Sequence, residues 1–564
     1  MIHKSMHYKF SYNNPHSHFI NIELSIDTES KERITLHLPS WRPGRYEIAN
    51  FAKNILNISA VGNKNKELSY EKISKDSWEV GCSNEKIVTI NYQYYAFVMD
   101  AGNSWLDEEQ LYLNFINCAI YAEGYQERPC TVSLSLPETY QCATGLEHFA
   151  KHEFKAPSYY QLVDSPLIAS SSLREITFRV NSTNFNLWIQ GDLPKTDQEL
   201  IHDFERFTKR QLDAMGEFPC ADYHFLFQCL PYTHYHGVEH FNSTTISIGP
   251  SNELAERPRY KKLLGVSCHE LFHTWNVIRL RPKEMVPYDF KTENYHKTGF
   301  ITEGVTTYYG DLFLAQSGVF SIEEYLQELN GLLKRHYENE GRKNMSVAAS
   351  SYDLWLDGYQ QGVPGRKVSI YNEGALTALI LDLTIRLKWG HERSLNNVMR
   401  LMWERHGKDF SGYSANDYQI AAEEVYGASL QQYFDDYIFG TSPFENALKP
   451  LFEACGLSLE LQESKKPEER NFGIRLFNNK ISHIAKDSAA AQQLSIKDEI
   501  LKVNGEDFSE HTKFDTAITL EVNRFAKIKV IDLTPSVNQH FSIYQVKPVQ
   551  GKLNNNLIKW LELN

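Results

Sequence analysis

The stretch Leu264-Gly-Val-Ser-Cys-His-Glu-Leu-Phe-His-Thr-Trp-Asn-Val-Ile278 contains His269-Glu270-x-x-His273. On an α-helix, residues i and i+4 share one face a turn apart, so two imidazoles point at one metal ion. Glu270 leaves the helix to one side, within reach of a water on that metal. This is the arrangement of zinc hydrolases, where the metal acidifies the water and the glutamate carries the proton. The alternative is a core helix with two buried, satisfied histidines. Leu263, Leu264, Val266, Leu271, Phe272 and Trp275 suit a central helix in either case. A glutamate buried between two histidines needs a charge partner, and the metal reading supplies one.

A zinc site of this kind needs a third protein ligand and an open fourth position. The best candidate is Glu303, in Phe300-Ile-Thr-Glu-Gly-Val-Thr-Thr-Tyr-Tyr309. Gly304 beside it permits close approach of another backbone. Thr306 and Tyr308 are candidates for hydrogen bonds that support the ligands. The expectation is one Zn²⁺ per chain.

The run His269-Glu-Leu-Phe-His-Thr-Trp-Asn-Val277, then Arg279-Leu-Arg-Pro282, then Glu303-Gly-x-Thr-x-Tyr-Tyr309 closely resembles the glycyl aminopeptidase family that carries a C-terminal PDZ domain. That family is a relative of aminopeptidase N and leukotriene hydrolase, whose zinc is held by two His and one Glu. The 29 residues between His273 and Glu303 are a longer interval than in aminopeptidase N and resemble the PDZ-containing branch.

Composition narrows the rest. A chain of 564 residues suggests three or four domains, and 42% hydrophobic content supports large cores. A net charge of −13 argues against nucleic-acid binding. The first ten residues hold no apolar run, so no secretory signal is expected. The longest apolar segment, 375–387, is broken by Asp382 and Arg386, so no membrane span is expected. The eight cysteines lack Cys-x-x-Cys spacing and read as reduced thiols in a cytoplasmic protein.

Along the chain, residues 1–168 read as β-rich, with alternation in His18–Ile26 and Ile87–Tyr95. Leu38-Pro-Ser-Trp-Arg-Pro-Gly-Arg-Tyr46 resembles a signature of the family's N-terminal domain and reads as a rigid turn anchored by its Trp. Farther on, an apolar strand over Tyr223–Leu230 precedes Gly237-Val-Glu-His240, which resembles the Gly-x-Met-Glu-Asn edge strand of aminopeptidase N. The resemblance implies that Gly237 faces the substrate backbone and that Glu239 binds the free α-amino group. His234, His236 and His240 cluster here, and alternation puts His234 and His236 on one face; a second metal site is the minor alternative, since polar strand ends often carry histidines without metal. Val368-Ser-Ile-Tyr-Asn-Glu-Gly374 resembles the Tyr-x-Lys-Gly segment of these peptidases, which implies Tyr371 as a donor to the oxyanion. Glu373 stands where the relatives usually have Lys. From Leu457 onward, Asn471-Phe-Gly-Ile474 and Lys497-Asp-Glu-Ile-Leu-Lys-Val-Asn-Gly505 resemble a PDZ domain, with Phe472 and Gly473 in its carboxylate-binding loop. A structural role as lid or docking surface is equally open. The tail Asn555–Leu561 reads as a short amphipathic helix packed on the body.

The expected architecture is multidomain α+β. It comprises an N-terminal β-rich domain (1–168), a thermolysin-like, mainly helical zinc metallopeptidase domain (169–456), and a PDZ domain with a short helical tail (457–564). The expected function is zinc-dependent metallopeptidase. The first choice is an aminopeptidase that removes N-terminal residues, glycine or alanine by resemblance, with Glu270 activating zinc-bound water. The rivals are a zinc endopeptidase or an epoxide hydrolase on the same site, or a PDZ binding module with vestigial catalysis. Peptides are the expected partners, joined by a C-terminal peptide or an internal segment at the PDZ domain.

Overall fold

The computed structural model describes residues 6–360, 362–509, 511–514, 516–549 and 554–563. The N-terminal region is built from strands, as its alternation predicts. Phe19–Asp27 pairs antiparallel with Ile87–Tyr95, burying Ile22 and Leu24 against Tyr92 and Ile90, while Glu23 faces out. They belong to a seven-stranded sheet, and two four-stranded sheets complete the region. One strand of these, Leu167–Ser170, pairs with Gln110–Leu113 and Gln141–Thr144. The expected boundary at 168 therefore falls inside a strand, whose backbone pairing keeps Ala169 and Ser170 with the N-terminal unit.

A five-stranded sheet follows, in the spatial order Arg174–Val180, Thr183–Gln190, Asp222–Cys229, Ser243–Gly249, His234–Glu239. Its inner strands are parallel, and Phe225, Leu226 and Phe227 are all buried, as an unbroken apolar run in a doubly covered strand requires. The helix Asp197–Met215 joins two of the parallel strands. It starts at a Thr196–Glu199 capping box and stops at Gly216, whose φ is 91°. His234–Glu239 is antiparallel to its neighbour and lies at the sheet edge.

The motif helix, Arg257–Phe272, packs beneath this edge strand with Leu263, Leu264, Leu271 and Phe272 fully buried. Phe300–Val305 crosses the helix Ile370–Lys388 so closely that a Cβ on Gly304 would stand 2.4 Å from the Gly374 Cα. Asp382 and Arg386, which interrupt the apolar run of that helix, pair with each other at 2.8 Å in the core. Asp382 also accepts from the Tyr308 hydroxyl and the Leu395 N–H. Among the described residues, no helix is long and apolar enough to cross a membrane.

The C-terminal region divides differently from expectation. Phe472, Ile474, Ile481, Ile500, Leu520 and Val522 form a small core of their own within the PDZ sheet. The strand Leu457–Gln462 instead pairs with Ile543–Pro548 as a separate ribbon. Leu457, Leu459, Val546 and the tail helix Asn555–Leu561 join the peptidase core. Trp560 is fully buried and donates to the Tyr308 hydroxyl at 3.1 Å. The stretch 457–564 is thus two units, because the apolar faces of ribbon and tail are covered by peptidase helices and not by the PDZ sheet.

Candidate active site

His269 lies in the last turn of the motif helix, and His273 caps it at φ −59°, ψ −18°. Glu303 comes from a π-helical turn, Phe300–Val305, which the hydrophobic spacing does not predict. The wider π turn rotates side chains relative to an α-helix and brings the carboxylate round to the histidines. His269 Nε2 and His273 Nε2 are 3.0 Å apart, and Glu303 Oε2 lies 3.7 Å and 3.4 Å from them. Donors about 2.0–2.1 Å from a tetrahedral zinc stand about 3.3 Å from one another, so the three atoms fit the ion. His273 Nδ1 donates to the Asn276 carbonyl at 2.6 Å, which leaves the Nε2 lone pair facing the other two ligands. Asn276 in turn donates to Thr306 Oγ1 at 3.0 Å, so Thr306 supports the site as expected. Tyr308 does not; its hydroxyl is drawn to the buried Asp382. Burial pushes the Glu303 carboxyl up, but His273 and His269 outweigh it and hold it at about 2.

Glu270 reaches beneath the edge strand. A Cβ on Gly237 would stand 2.3 Å from Glu270 Oε1 and 2.7 Å from Val266 Cγ2. The missing side chain is what lets this strand lie flush on the carboxylate. Burial pushes Glu270 well above the usual carboxylate range; His273 opposes this, and Glu239 and Glu303 add to it. Glu239 lies two residues beyond Gly237, on the same side of the strand. One oxygen each of Glu239 and Glu270 and a nitrogen of His273 lie within 4.8 Å of one another. Glu239 Oε1 is buried with no partner among the described residues, a costly state unless a cation joins it.

Tyr371 sits in the first turn of its helix, with its ring stacked against His269 at 6.4 Å and its hydroxyl 3.5 Å from that of Tyr359. Glu373 turns away from the site and accepts from His336 Nδ1 at 2.7 Å in a buried pair. The strand histidines gather no metal-ligand cluster of their own among the described residues. His240 pairs with Asp164 at 3.0 Å. The PDZ residues correct an expectation. Phe472 is a core residue, and Gly473, at φ 66°, donates its N–H to Glu469 as a helix cap. That amide is therefore taken, and among the described residues no helix between Glu506–Asp507 and Ile518–Arg524 walls a carboxylate groove.

The N-terminal turn does more than its sequence suggests. Trp41 is the expected anchor; its Nε1 donates to Asp289 O at 2.7 Å and its ring meets Trp355 edge-on. The residues after it enter the site. Tyr46 is buried and donates to Glu303 Oε1 at 3.5 Å. Gly44, at φ 75°, lies so close that a Cβ would stand 2.6 Å from Glu239 Oε2. Arg42 donates to His236 Nε2 at 3.2 Å, and its guanidinium fills the space a Gly102 side chain would need. Burial and Arg42 push His236 down to about 3, so this ring stays a neutral acceptor. The available signal was two arginines and a tyrosine packed into a Pro-Gly turn, more polar chemistry than a turn requires.

Three stretches match described families: the Peptidase M61 N-terminal domain over residues 7–171, the M61 glycyl aminopeptidase over 262–377, and the PDZ domain over 457–524. No curated protein matches the chain. Among solved structures, an aminopeptidase N family protein from Idiomarina loihiensis is similar at TM-score 0.90 and 26% identity, over 99% of this chain and 100% of that one. An M1 zinc metallopeptidase from Deinococcus radiodurans shares the fold at TM-score 0.50 and 13% identity, over 78% of this chain and 94% of that one. A mutant of that enzyme bound to a Tyr-Ser-Ala substrate shares it at TM-score 0.50 and 14% identity, with the same coverage. The chain thus carries an M61 N-terminal domain, an M61 glycyl aminopeptidase domain and a PDZ domain in that order, and it is a metallopeptidase.

Proposed function

We propose that the chain is a zinc aminopeptidase that removes a small first residue, glycine or alanine, from peptides. The observation that carries this reading is Glu239, a buried carboxylate with an unpartnered oxygen beside Glu270 and His273. An α-ammonium placed there gains a charge-assisted hydrogen bond of roughly 1.5–3 kcal/mol, and an internal amide gains nothing comparable. Gly44 packs directly on that carboxylate. The substrate main chain lies along the free edge of His234–Glu239, where the bare Gly237 faces it. The small first residue rests on the family's description.

His269, His273 and Glu303 would hold one Zn²⁺. When bound, zinc supplies a Lewis acid that lowers the pKa of water and polarises the scissile carbonyl. Glu270 takes the proton of the attacking water and returns it to the leaving amine. Tyr371 donates to the carbonyl oxygen as that atom gains charge. Tyr46 steadies Glu303 from the N-terminal side. The test compares kcat/KM for free and N-acetylated forms of one peptide. The expected preference is at least about tenfold for the free amine, and smaller in Glu239→Ala. Equal cleavage of both forms by the unmodified protein would turn the reading to an endopeptidase.

A further inference from the structure

A cleft of about 930 Å³ lies between the peptidase helices and the PDZ unit. It begins at Tyr371 and Tyr359, and its far wall includes Ile484, Lys486 and Ile496 of the PDZ unit. The two walls are tied together. Arg475 of the PDZ unit bridges to Glu338 at 3.3 Å. The acids of the cleft are all engaged: Glu338 with Arg475, Glu340 with Lys343, Asp357 with Arg366 and Lys367, and Asp487 with His540. Two of its basic side chains are not. Among the described residues, neither Arg335 nor Lys486 has a carboxylate within ion-pair distance, and both are exposed.

Arg335 is placed by the site itself. Its Nε donates at 3.0 Å to Asn372 Oδ1, the residue next to Tyr371, and neither Nη has a partner among the described residues. The site thus holds a buried carboxylate, Glu239, and beside Tyr371 an unpaired guanidinium. A peptide has the complementary polarity, with an ammonium at one end and a carboxylate at the other. In a chain of net charge −13, two cations left unneutralised in a cleft continuous with the site favour an anionic occupant.

We propose that this cleft takes the carboxyl-terminal side of the peptide substrate and that Arg335, with Lys486 on the PDZ wall, binds its free α-carboxylate. The direction of the peptide rests on the aminopeptidase reading. The PDZ unit then contributes a wall of the substrate cleft rather than a separate peptide groove.

The experiment uses the full chain as Glu270→Gln, which leaves the ligand residues in place and lacks the base. Titration calorimetry compares tetra-alanine as the free acid and as the C-terminal amide. The acid is expected to bind at least about fivefold more tightly at moderate salt. Adding Arg335→Gln, which keeps a donor for Asn372 but removes the charge, should bring the ratio near one. Lys334→Gln, on the next residue of the helix and outside the cleft, should leave it unchanged. The acid-to-amide ratio of kcat/KM in the unmodified protein is a second, independent measurement. Equal binding of acid and amide, or a ratio that survives Arg335→Gln combined with Lys486→Gln, would overturn the proposal. Loss of the free-amine preference with the acid preference intact would fault the aminopeptidase reading alone.

Discussion

Gly237→Ala is the smallest change that tests the geometry of the site. The φ of Gly237 is not positive, so alanine accepts the backbone and only the added methyl matters. That methyl would stand 2.3 Å from Glu270 Oε1 and 2.7 Å from Val266 Cγ2. Val266 is β-branched and fixed on the motif helix, whereas the Glu270 carboxylate is the free end of a longer side chain. The carboxylate retreats by about 1 Å to reach ordinary contact, and because Val266 cannot, the strand itself must lift as well; a misplacement of that size costs roughly 10²-fold in rate. We expect kcat/KM on alanine p-nitroanilide to fall about a hundredfold, with zinc content unchanged by elemental analysis. Gly265→Ala is the control on the same helix. A Cβ there meets nothing, so the rate should hold while stability rises by about 0.5–1 kcal/mol. A Gly237→Ala protein within threefold of the parent would refute the idea that the bare edge strand positions the base.

Other outcomes follow from the same contacts. Glu303→Ala should lose most of the zinc, while Glu270→Gln should keep the metal and lose turnover; full zinc in Glu303→Ala would mean that the third ligand is misassigned. Tyr371→Phe should lower kcat by roughly 10²-fold with little change in KM, and an unaltered kcat on a substrate limited by chemistry would remove the hydroxyl from the mechanism. Burial and Glu328 push Asp311 up to about 7. Its folded form therefore binds more protons than the unfolded chain between about pH 4 and pH 7, so stability should fall as pH rises through that window. Asp311→Asn should flatten this slope in a series of Tm measurements, and a curve parallel to the parent's would contradict the assignment.

The sequence alone determined what local spacing encodes. His269 and His273 are four apart on a helix, and helical periodicity places them on one face whatever surrounds them. The alternation of Phe19–Asp27 and the unbroken apolar run Phe225-Leu226-Phe227 likewise told an exposed face from a buried strand, because side chains alternate across a sheet. Gly237, Glu239 and Tyr371 were legible only through resemblance, since nothing in their own neighbourhood says which distant helix they approach. The tertiary structure decided the rest. The π turn that aims Glu303 arises where its segment crosses Gly374, more than sixty residues away in the chain. Tyr308 was lost from the site because the buried Asp382, distant in the chain, takes its hydroxyl. The turn at Arg42, Gly44 and Tyr46 looked structural because its partners, His236, Glu239 and Glu303, belong to another domain. The PDZ motif preserved its order while Gly473 became a helix cap, and the ribbon beside it joined the peptidase core. Spacing records contacts within a turn or a strand; contacts made by packing one element against another leave no period to read.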